Sequence, residues 1–151
     1  MGLAPSIGAL LRQLHRWNCP CLDDSPPKSR TWVGIYGEWV AASYLSSHGY
    51  RILRRNWKLN RGGELDLVCR HGQQLVFVEV KTRREMPAQF GPPARAVNRK
   101  KRELIRKGAH LWLRLLGGEP IEYRYDIVEV ILTAGETPHV NVLQSAFGEH
   151  E

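Results

Sequence analysis

Residues 64–81 decide the fold, and they read ELDLVCRHGQQLVFVEVK. Two apolar runs flank the turn-forming pair His71-Gly72, and both are rich in the valine and leucine that favour strands. The stretch therefore predicts a hairpin, with one strand over residues 64–70 and the next over residues 75–83. The second strand is the more apolar, which predicts a central position in a sheet.

The alternation of side chains along this hairpin gathers charged groups on one face. Successive residues of a strand point to opposite faces, so Glu79 and Lys81 share a side. If residues 71–74 form the hairpin loop, Asp66 lies directly across from Glu79 on that side. Unpaired charges are costly at the end of a buried strand, so a partner or a bound ion is expected there. The other side of the same register is apolar, with Leu65, Leu67, Val78 and Val80.

The segments around the hairpin extend it into an α/β domain. Helical periodicity, strand-type runs and the glycines that end them give the boundaries. The predicted elements are a helix over 31–48, strands over 50–57, 64–70 and 75–83, a loop over 85–93, a helix over 94–116 and a strand over 122–132. This αβββαβ order predicts a central mixed sheet flanked by helices.

The length of 151 residues suits one domain, and the composition is that of a globular protein, with 42% hydrophobic and 25% charged residues. Residues 1–30 collect prolines and polar residues, so we expect a poorly ordered extension and linker. The domain itself is predicted over residues 31–133, and residues 134–151 are predicted to be a C-terminal tail.

The net charge of +7 favours a polyanionic partner, either nucleic acid or an anionic membrane surface. The three cysteines are too few and too irregularly spaced for a disulfide framework or a zinc site. No apolar run approaches the roughly 20 residues that span a bilayer, so we expect a cytoplasmic protein without a membrane segment. Composition alone does not choose between these two partners.

The facing carboxylates of Asp66 and Glu79 point to a metal. They repel each other unless one of them takes a proton or a divalent cation lies between them. Mg²⁺, or Mn²⁺ in its place, binds carboxylates, retained waters and substrate phosphate oxygens, and the carbonyl of Val80 is a further ligand. Such an ion polarises a phosphate and activates water, and Lys81 can stabilise the developing charge. The alternative is a hairpin with solvent-facing charges and cross-strand ion pairs.

Glu38 is a candidate third ligand. The first helix could cover the face that carries Val68 and Phe77, and this would bring Glu38 towards the two carboxylates. The alternative is an acid in the first helical turn, which the helix dipole favours. We expect Glu64, by contrast, to lie solvated at the edge of its strand.

Basic residues on the long helix form a candidate phosphate-contacting surface, for which the alternative is a solvated helix face. Lys101 follows Val97 by four residues, so it is expected to face partly inward. Arg99, Arg83 and Arg55 are the other candidates for contact with nucleic acid. Asp126 is expected to pair structurally with an arginine rather than to bind a metal.

These residues together resemble a known nuclease pattern. An acidic residue, a turn and then Glu-x-Lys on the next strand, with a helical glutamate upstream, is typical of the PD-(D/E)xK superfamily. The fuller pattern resembles the YraN-like family of uncharacterised proteins regarded as candidate endonucleases. It covers about residues 32–132 and includes Gly37-Glu38, Gly49-Tyr50-Arg51-Ile52-Leu53, Arg55-Asn56, Gly63-Glu64-Leu65-Asp66-Leu67, Val76-Phe77-Val78-Glu79-Val80-Lys81 and Tyr125-Asp126-Ile127-Val128. Leu65 stands where the superfamily name has proline.

The resemblance implies a restriction-endonuclease-like fold and a Mg²⁺-type phosphodiesterase site. It assigns metal binding to Asp66 and Glu79, the catalytic amine to Lys81 and an accessory ligand to Glu38, as in Holliday-junction resolvases.

The expected function is a metal-dependent endonuclease, with DNA favoured over RNA, acting on branched or damaged substrates without a small-molecule cofactor. Junction-cutting relatives imply a homodimer, although nothing in the sequence encodes a dimer face. The alternatives are a non-catalytic nucleic-acid-binding module and a protein-interaction adaptor that docks through residues 1–30.

Overall fold

The computed structural model describes residues 29–60, 62–84, 97–133 and 136–151. Five strands form one sheet in the order β1-β2-β3-β4-β5, and only the β3–β4 pair is parallel. The α/β class and the αβββαβ order of a restriction-endonuclease-like core are confirmed, and one further strand follows. The elements are helix α1 Arg30–Ser47, strands β1 Tyr50–Lys58, β2 Glu64–His71 and β3 Gln74–Arg84, helix α2 Arg99–Leu115, and strands β4 Tyr123–Leu132 and β5 His139–Phe147.

Strand β3 is the middle strand, as its apolar run predicts. All residues from Leu75 to Val80 are buried. The next strand, β4, is parallel to β3, and parallel neighbours need a crossover connection. Helix α2 lies in this connection and packs against β2 and β3. The end of β3 therefore lies under a helix that carries many basic residues.

The predicted hairpin register is confirmed. Leu67 pairs with Val78, and the same register one residue further on places Asp66 across from Glu79. The loop is shorter than the predicted four residues, because His71 pairs with Gln74 and leaves only a two-residue turn. Gly72 has a φ of +60° in this turn, a left-handed backbone that glycine adopts without strain. Both loop lengths share one register, so the placement of the acidic pair is unaffected.

The two helices cover opposite faces of the sheet. Helix α1 packs on the face with Leu67 and Val78, and α2 packs on the face with Val68 and Phe77. The prediction that the first helix covers Val68 and Phe77 is therefore wrong. So is the placement of Leu65 with Leu67, because Leu65 lies in the α2-side core. Both faces of the central strands are apolar, so alternation alone cannot tell which helix covers which face.

The predicted C-terminal tail over residues 134–151 is also corrected, because residues 139–147 form β5. This strand pairs antiparallel with β4, and Val140 joins the α1-side core. An edge strand needs apolar residues on one face only, so its signal in the sequence is weak. Strand β5 covers the edge that β4 would otherwise expose.

Helix α2 starts later than the predicted residue 94. It begins at Arg99, because the side chain of Asn98 caps it by accepting a hydrogen bond from the Lys101 N–H at 2.9 Å. The predicted N-terminal extension and the loop over residues 85–93 lie largely outside the described residues. Among the described helices, none is both long and apolar enough to cross a membrane.

Close packing between α1 and β3 makes Gly37 a sensitive position. A Cβ atom added there would lie 1.7 Å from Thr82 Oγ1, whereas a Cβ at Gly34, on the same helix, would meet nothing within 4 Å. We expect Gly37→Ala to destabilise the fold by about 1–3 kcal/mol. Gly34→Ala is expected to stabilise it by up to about 1 kcal/mol through helix propensity. Thermal unfolding of both variants tests this, and equal responses would contradict the packing.

Candidate active site

Asp66 and Glu79 meet where strands β2 and β3 stop pairing. The ladder between the strands extends to Leu67 and Val78, one residue before the acidic pair. Beyond it, Asp66 Oδ2 accepts a hydrogen bond from the backbone N–H of Val80 at 2.8 Å. Glu79 is only 2% exposed. The carboxylate of Asp66 thus takes a place in the sheet that a backbone carbonyl would otherwise fill, directly beside a buried glutamate.

The pKa of Asp66 responds to its burial and to the neighbouring carboxylates. Burial and then the negative charge of Glu79 raise the pKa of Asp66 to about 7, against the hydrogen bond from Val80 and the charge of Lys101. The charge of Glu38 raises it further. Near neutral pH, a carboxyl group with such a pKa is protonated in a large fraction of the molecules unless a nearby cation keeps it ionised.

Two lysines from different elements neutralise Glu79. Lys81 Nζ lies 2.8 Å from Glu79 Oε1, and Lys101 Nζ lies 3.4 Å from Glu79 Oε2. Lys101 also bonds Glu64 Oε1. Burial lowers the pKa of Lys101, but the hydrogen bond to Glu64 and the neighbouring carboxylates outweigh it and raise that pKa. The predicted inward orientation of Lys101 is confirmed, and the predicted solvation of Glu64 is wrong, because it is half-buried against Lys101.

Glu38 approaches this group from α1. No acidic residue lies in the first turn of that helix, so the alternative of a dipole-favoured first-turn acid is excluded. Burial raises the pKa of Glu38, and the charge of Glu79 adds to this rise. The Asn56 amide donates a hydrogen bond to Glu38 Oε2 at 2.7 Å. The charge of Glu79 thus acts on Glu38 although α1 packs on the face opposite to the predicted one, and the role of Glu38 as third ligand stays a prediction.

The other residues predicted to contact nucleic acid are three arginines, on β1, β3 and α2. The Arg55 guanidinium stacks over Trp39 at 4.5 Å, and Arg83 lies 3.5 Å from the buried carboxylate of Glu129. Arg99 is exposed at the start of α2. The contact of these three arginines with nucleic acid stays a prediction.

Asp126 has the structural role that the sequence predicts. It is fully buried, and Arg124 donates to it at 2.9 Å. Tyr50 and the backbone N–H of Ser145 donate to the same carboxylate. This network ties β1, β4 and β5 together.

Sequence reasoning missed Asn56 as a member of the site. The family pattern includes it, but nothing in the composition of β1 marks it, because a strand-type run gives no sign of a left-handed residue. The sequence predicts a solvated Glu64, whereas the structure pairs it with Lys101. The lysine that binds it comes from α2, and this proximity depends on the tertiary fold alone.

The donor set has the chemistry of a hard cation site. Asp66, Glu79 and Glu38 offer oxygen only, which suits Mg²⁺ or Mn²⁺. Glu79 Oε2 is buried and accepts no hydrogen bond within the described ranges, so the charge of Lys101, 3.4 Å away, is its nearest compensation and a bound cation would complete it. As they stand, no three acidic, histidine or cysteine side chains in the described part of the chain lie close enough to hold a metal ion. The fit is therefore one of donor chemistry.

A cleft of about 610 Å³ opens beside Glu38 and Lys81, and neither Asp66 nor Glu79 lines it. It runs between the start of α1 and the end of β3, and it shares Glu38, Val80 and Lys81 with the site. Its other polar lining residues are Ser29, Arg30, Thr82 and Arg84. The cleft gives a solvent route, lined by cations, to the end of β3.

Comparison with known proteins places this chain in a family. The model of the uncharacterised protein family UPF0102 matches residues 37–130, a span that contains Glu38, Asp66, Glu79, Lys81 and Lys101. A UPF0102 protein of Nocardia farcinica is 44% identical over 115 residues, which cover 76% of this chain and 88% of that protein. A UPF0102 protein of Symbiobacterium thermophilum is 43% identical over 115 residues, covering 76% and 95%. The family resemblance drawn from the motifs is thereby confirmed, and the chain belongs to the uncharacterised protein family UPF0102.

Proposed function

We propose that the protein is a metal-dependent nuclease that hydrolyses phosphodiester bonds in nucleic acid, with DNA favoured over RNA. The observation that carries the proposal is the acidic pair, in which Glu79 is buried and Asp66 is half-buried. Asp66 and Glu79 face each other at the end of a central strand, and the pKa of Asp66 rises to about 7. Two carboxylates that face each other in a fold destabilise it, and a cation bound between them would offset this cost.

The cation would be Mg²⁺ or Mn²⁺, held by Asp66 and Glu79 with Glu38 as third ligand, and it would supply charge to the phosphate and an activated water. The chain's own groups fix the geometry around it. The Val80 N–H holds Asp66 Oδ2, so this carboxylate is oriented before any ligand arrives. The Lys81 ammonium, 2.8 Å from Glu79 Oε1, supplies positive charge where negative charge grows on the phosphate oxygens.

The cleft beside the site suits a polyanion. Arg30 and Arg84 line it together with Lys81, and the chain as a whole carries a net charge of +7. Contacts between such side chains and phosphates make binding depend steeply on salt. We infer that the sugar–phosphate backbone enters through this cleft, with the scissile phosphate next to Lys81.

A non-catalytic nucleic-acid-binding module is the second candidate. It is favoured by the ion pairs of Lys81 and Lys101 with Glu79, because these lysines already neutralise the buried charge without a metal. On this alternative, binding is steeply salt-dependent and indifferent to divalent cations.

A cleavage panel separates the two candidates. The full chain is incubated with single-stranded, duplex, flap and four-way DNA and with matching RNA, with and without Mg²⁺ or Mn²⁺. We expect cleavage only with the cation, on DNA before RNA, and its loss in Asp66→Ala with binding retained. Cleavage in a chelator would contradict the proposal, and metal-indifferent binding without cleavage would support the second candidate.

A further inference from the structure

Asn56 has a strained backbone inside a strand. Its φ is +47°, although it lies within β1 and is not glycine. Asparagine tolerates the left-handed region better than most residues, but the conformation still costs free energy and tends to occur at functional positions. Its neighbours Arg55 and Trp57 pair with Leu67 and Leu65, which places Asn56 across from Asp66. The strained residue on β1 therefore lies in line with Asp66 on β2 and Glu79 on β3.

The left-handed backbone changes where side chains of β1 point. In a regular strand, consecutive side chains point to opposite faces. Here Arg55 stacks over Trp39 and Asn56 bonds Glu38, so two consecutive residues of β1 contact the same helix, α1. Trp57, the next residue, packs with its ring 5.5 Å from that of Trp112 on α2. The conformation at Asn56 is what brings its amide to Glu38.

Strand β2 changes faces at the same place. Leu67 lies in the α1-side core and Leu65 lies in the α2-side core, although residues two apart in a regular strand share a face. The change falls on Asp66, across from Asn56. In both strands, therefore, the side chains change faces at Asn56 and Asp66. At this place Glu38 from α1 comes near groups that α2 covers.

Two effects disfavour the position of the Glu38 carboxylate. Burial disfavours its charge and the charge of Glu79 repels it, whereas the charges of Lys58 and Lys101 attract it. The hydrogen bond from Asn56 opposes both effects. Without that amide, the carboxylate is expected to turn towards solvent and the exposed Lys58.

We propose that Asn56 is a positioning residue, whose strained backbone and side-chain amide hold Glu38 beside Asp66 and Glu79. This role rests on the proposed function, because it gives Glu38 a purpose there as third ligand. The strain is then the cost of keeping an acid in an environment that repels it.

The test compares two glycine substitutions in the full chain. Asn56→Gly removes the amide and relieves the backbone, and Ser145→Gly relieves the other left-handed non-glycine residue among those described, at φ +49°, in β5. Ser145 uses its backbone N–H to bond Asp126, which glycine keeps. We expect both variants to stay within about 3 °C of the wild-type Tm. Only Asn56→Gly should lower kcat, by about tenfold or more, with KM for DNA within twofold.

Two further readouts do not depend on cleavage. Mg²⁺ or Mn²⁺ alone should raise the Tm of the wild type and of Ser145→Gly, and raise that of Asn56→Gly much less. The change in Tm caused by Asn56→Gly should also differ between the wild-type and Glu38→Ala backgrounds, because the two side chains interact.

The outcomes separate the two hypotheses. If the wild type cleaves and is stabilised by metal, and Asn56→Gly matches it in both respects, the positioning role is wrong and the proposed function stands. If the wild type shows neither cleavage nor metal stabilisation, the proposed function is wrong and the role falls with it. A fall in kcat that only follows a fall in Tm would make Asn56 purely structural and overturn the inference.

Discussion

Replacing Asp66 by asparagine is expected to stabilise the metal-free protein at pH 8 by about 2–4 kcal/mol and to abolish cleavage. The pKa of Asp66 is raised to about 7 in the folded protein, whereas an aspartate in the unfolded chain titrates at about 3.9. Between these values the folded state binds more protons than the unfolded state, so stability falls as pH rises from about 4 to about 7. Asparagine lacks the charge but keeps an oxygen for the Val80 N–H.

The measurement is thermal or denaturant unfolding of both proteins in a chelator across pH 4 to 8. The stabilities of the two proteins should be nearly equal at pH 4. Their difference should then grow up to about pH 7, as the wild type loses stability. Glu103→Gln is the matched control, because Glu103 is an exposed acid on α2 and its loss should change little. If the stability of the wild type instead rose relative to that of Asp66→Asn with increasing pH, the surroundings would favour the charged form of Asp66. That result would contradict the prediction.

The activity of the same variant supplies the other half of the prediction. Asparagine has the shape of aspartate but not its negative charge, so it is a poor ligand for Mg²⁺. Cleavage should disappear while binding of DNA persists. Greater stability together with lost activity is typical of a residue kept for function.

Replacing Lys81 by alanine is expected to lower the single-turnover cleavage rate by about 10²–10³-fold. The ammonium lies 2.8 Å from Glu79 Oε1 at the mouth of the cleft, where a phosphate would arrive, so its charge acts on the reacting group. Lys101 still neutralises Glu79 in the variant, so the fold should survive. Dissociation constants for DNA should change by less than the rate.

Lys100→Ala is the matched control for charge. Lys100 is an exposed residue of α2, so its removal changes the net charge equally without touching the site. We expect its cleavage rate to stay within about twofold of the wild type and its binding to weaken slightly. If Lys81→Ala and Lys100→Ala behaved alike, the lysine of β3 would be a general phosphate contact and not part of the catalytic centre.

Much of the fold follows from local sequence. The apolar run before Glu79, the turn at Gly72 and the strand alternation are properties of adjacent residues, and they predict the hairpin, its register and the central place of β3. They also bring Asp66, Glu79 and Lys81 together, because hairpin partners are close in sequence. What was wrong depended on weaker local signals. The apolar residues of β5 lose their alternation after Val142, and the cap at Asn98 competes with a helical pattern that begins earlier.

The sequence by itself determined the αβββαβ order, which follows from local periodicity, and the acidic pair with its lysine, which depends on contacts within one hairpin. Only the tertiary structure decided which helix covers which face, because both faces of β3 are apolar and either helix could satisfy either one. It also decided the pairing of Lys101 with Glu64 and the left-handed turn at Asn56 that holds Glu38. These contacts join residues far apart in the chain, and no local pattern encodes them.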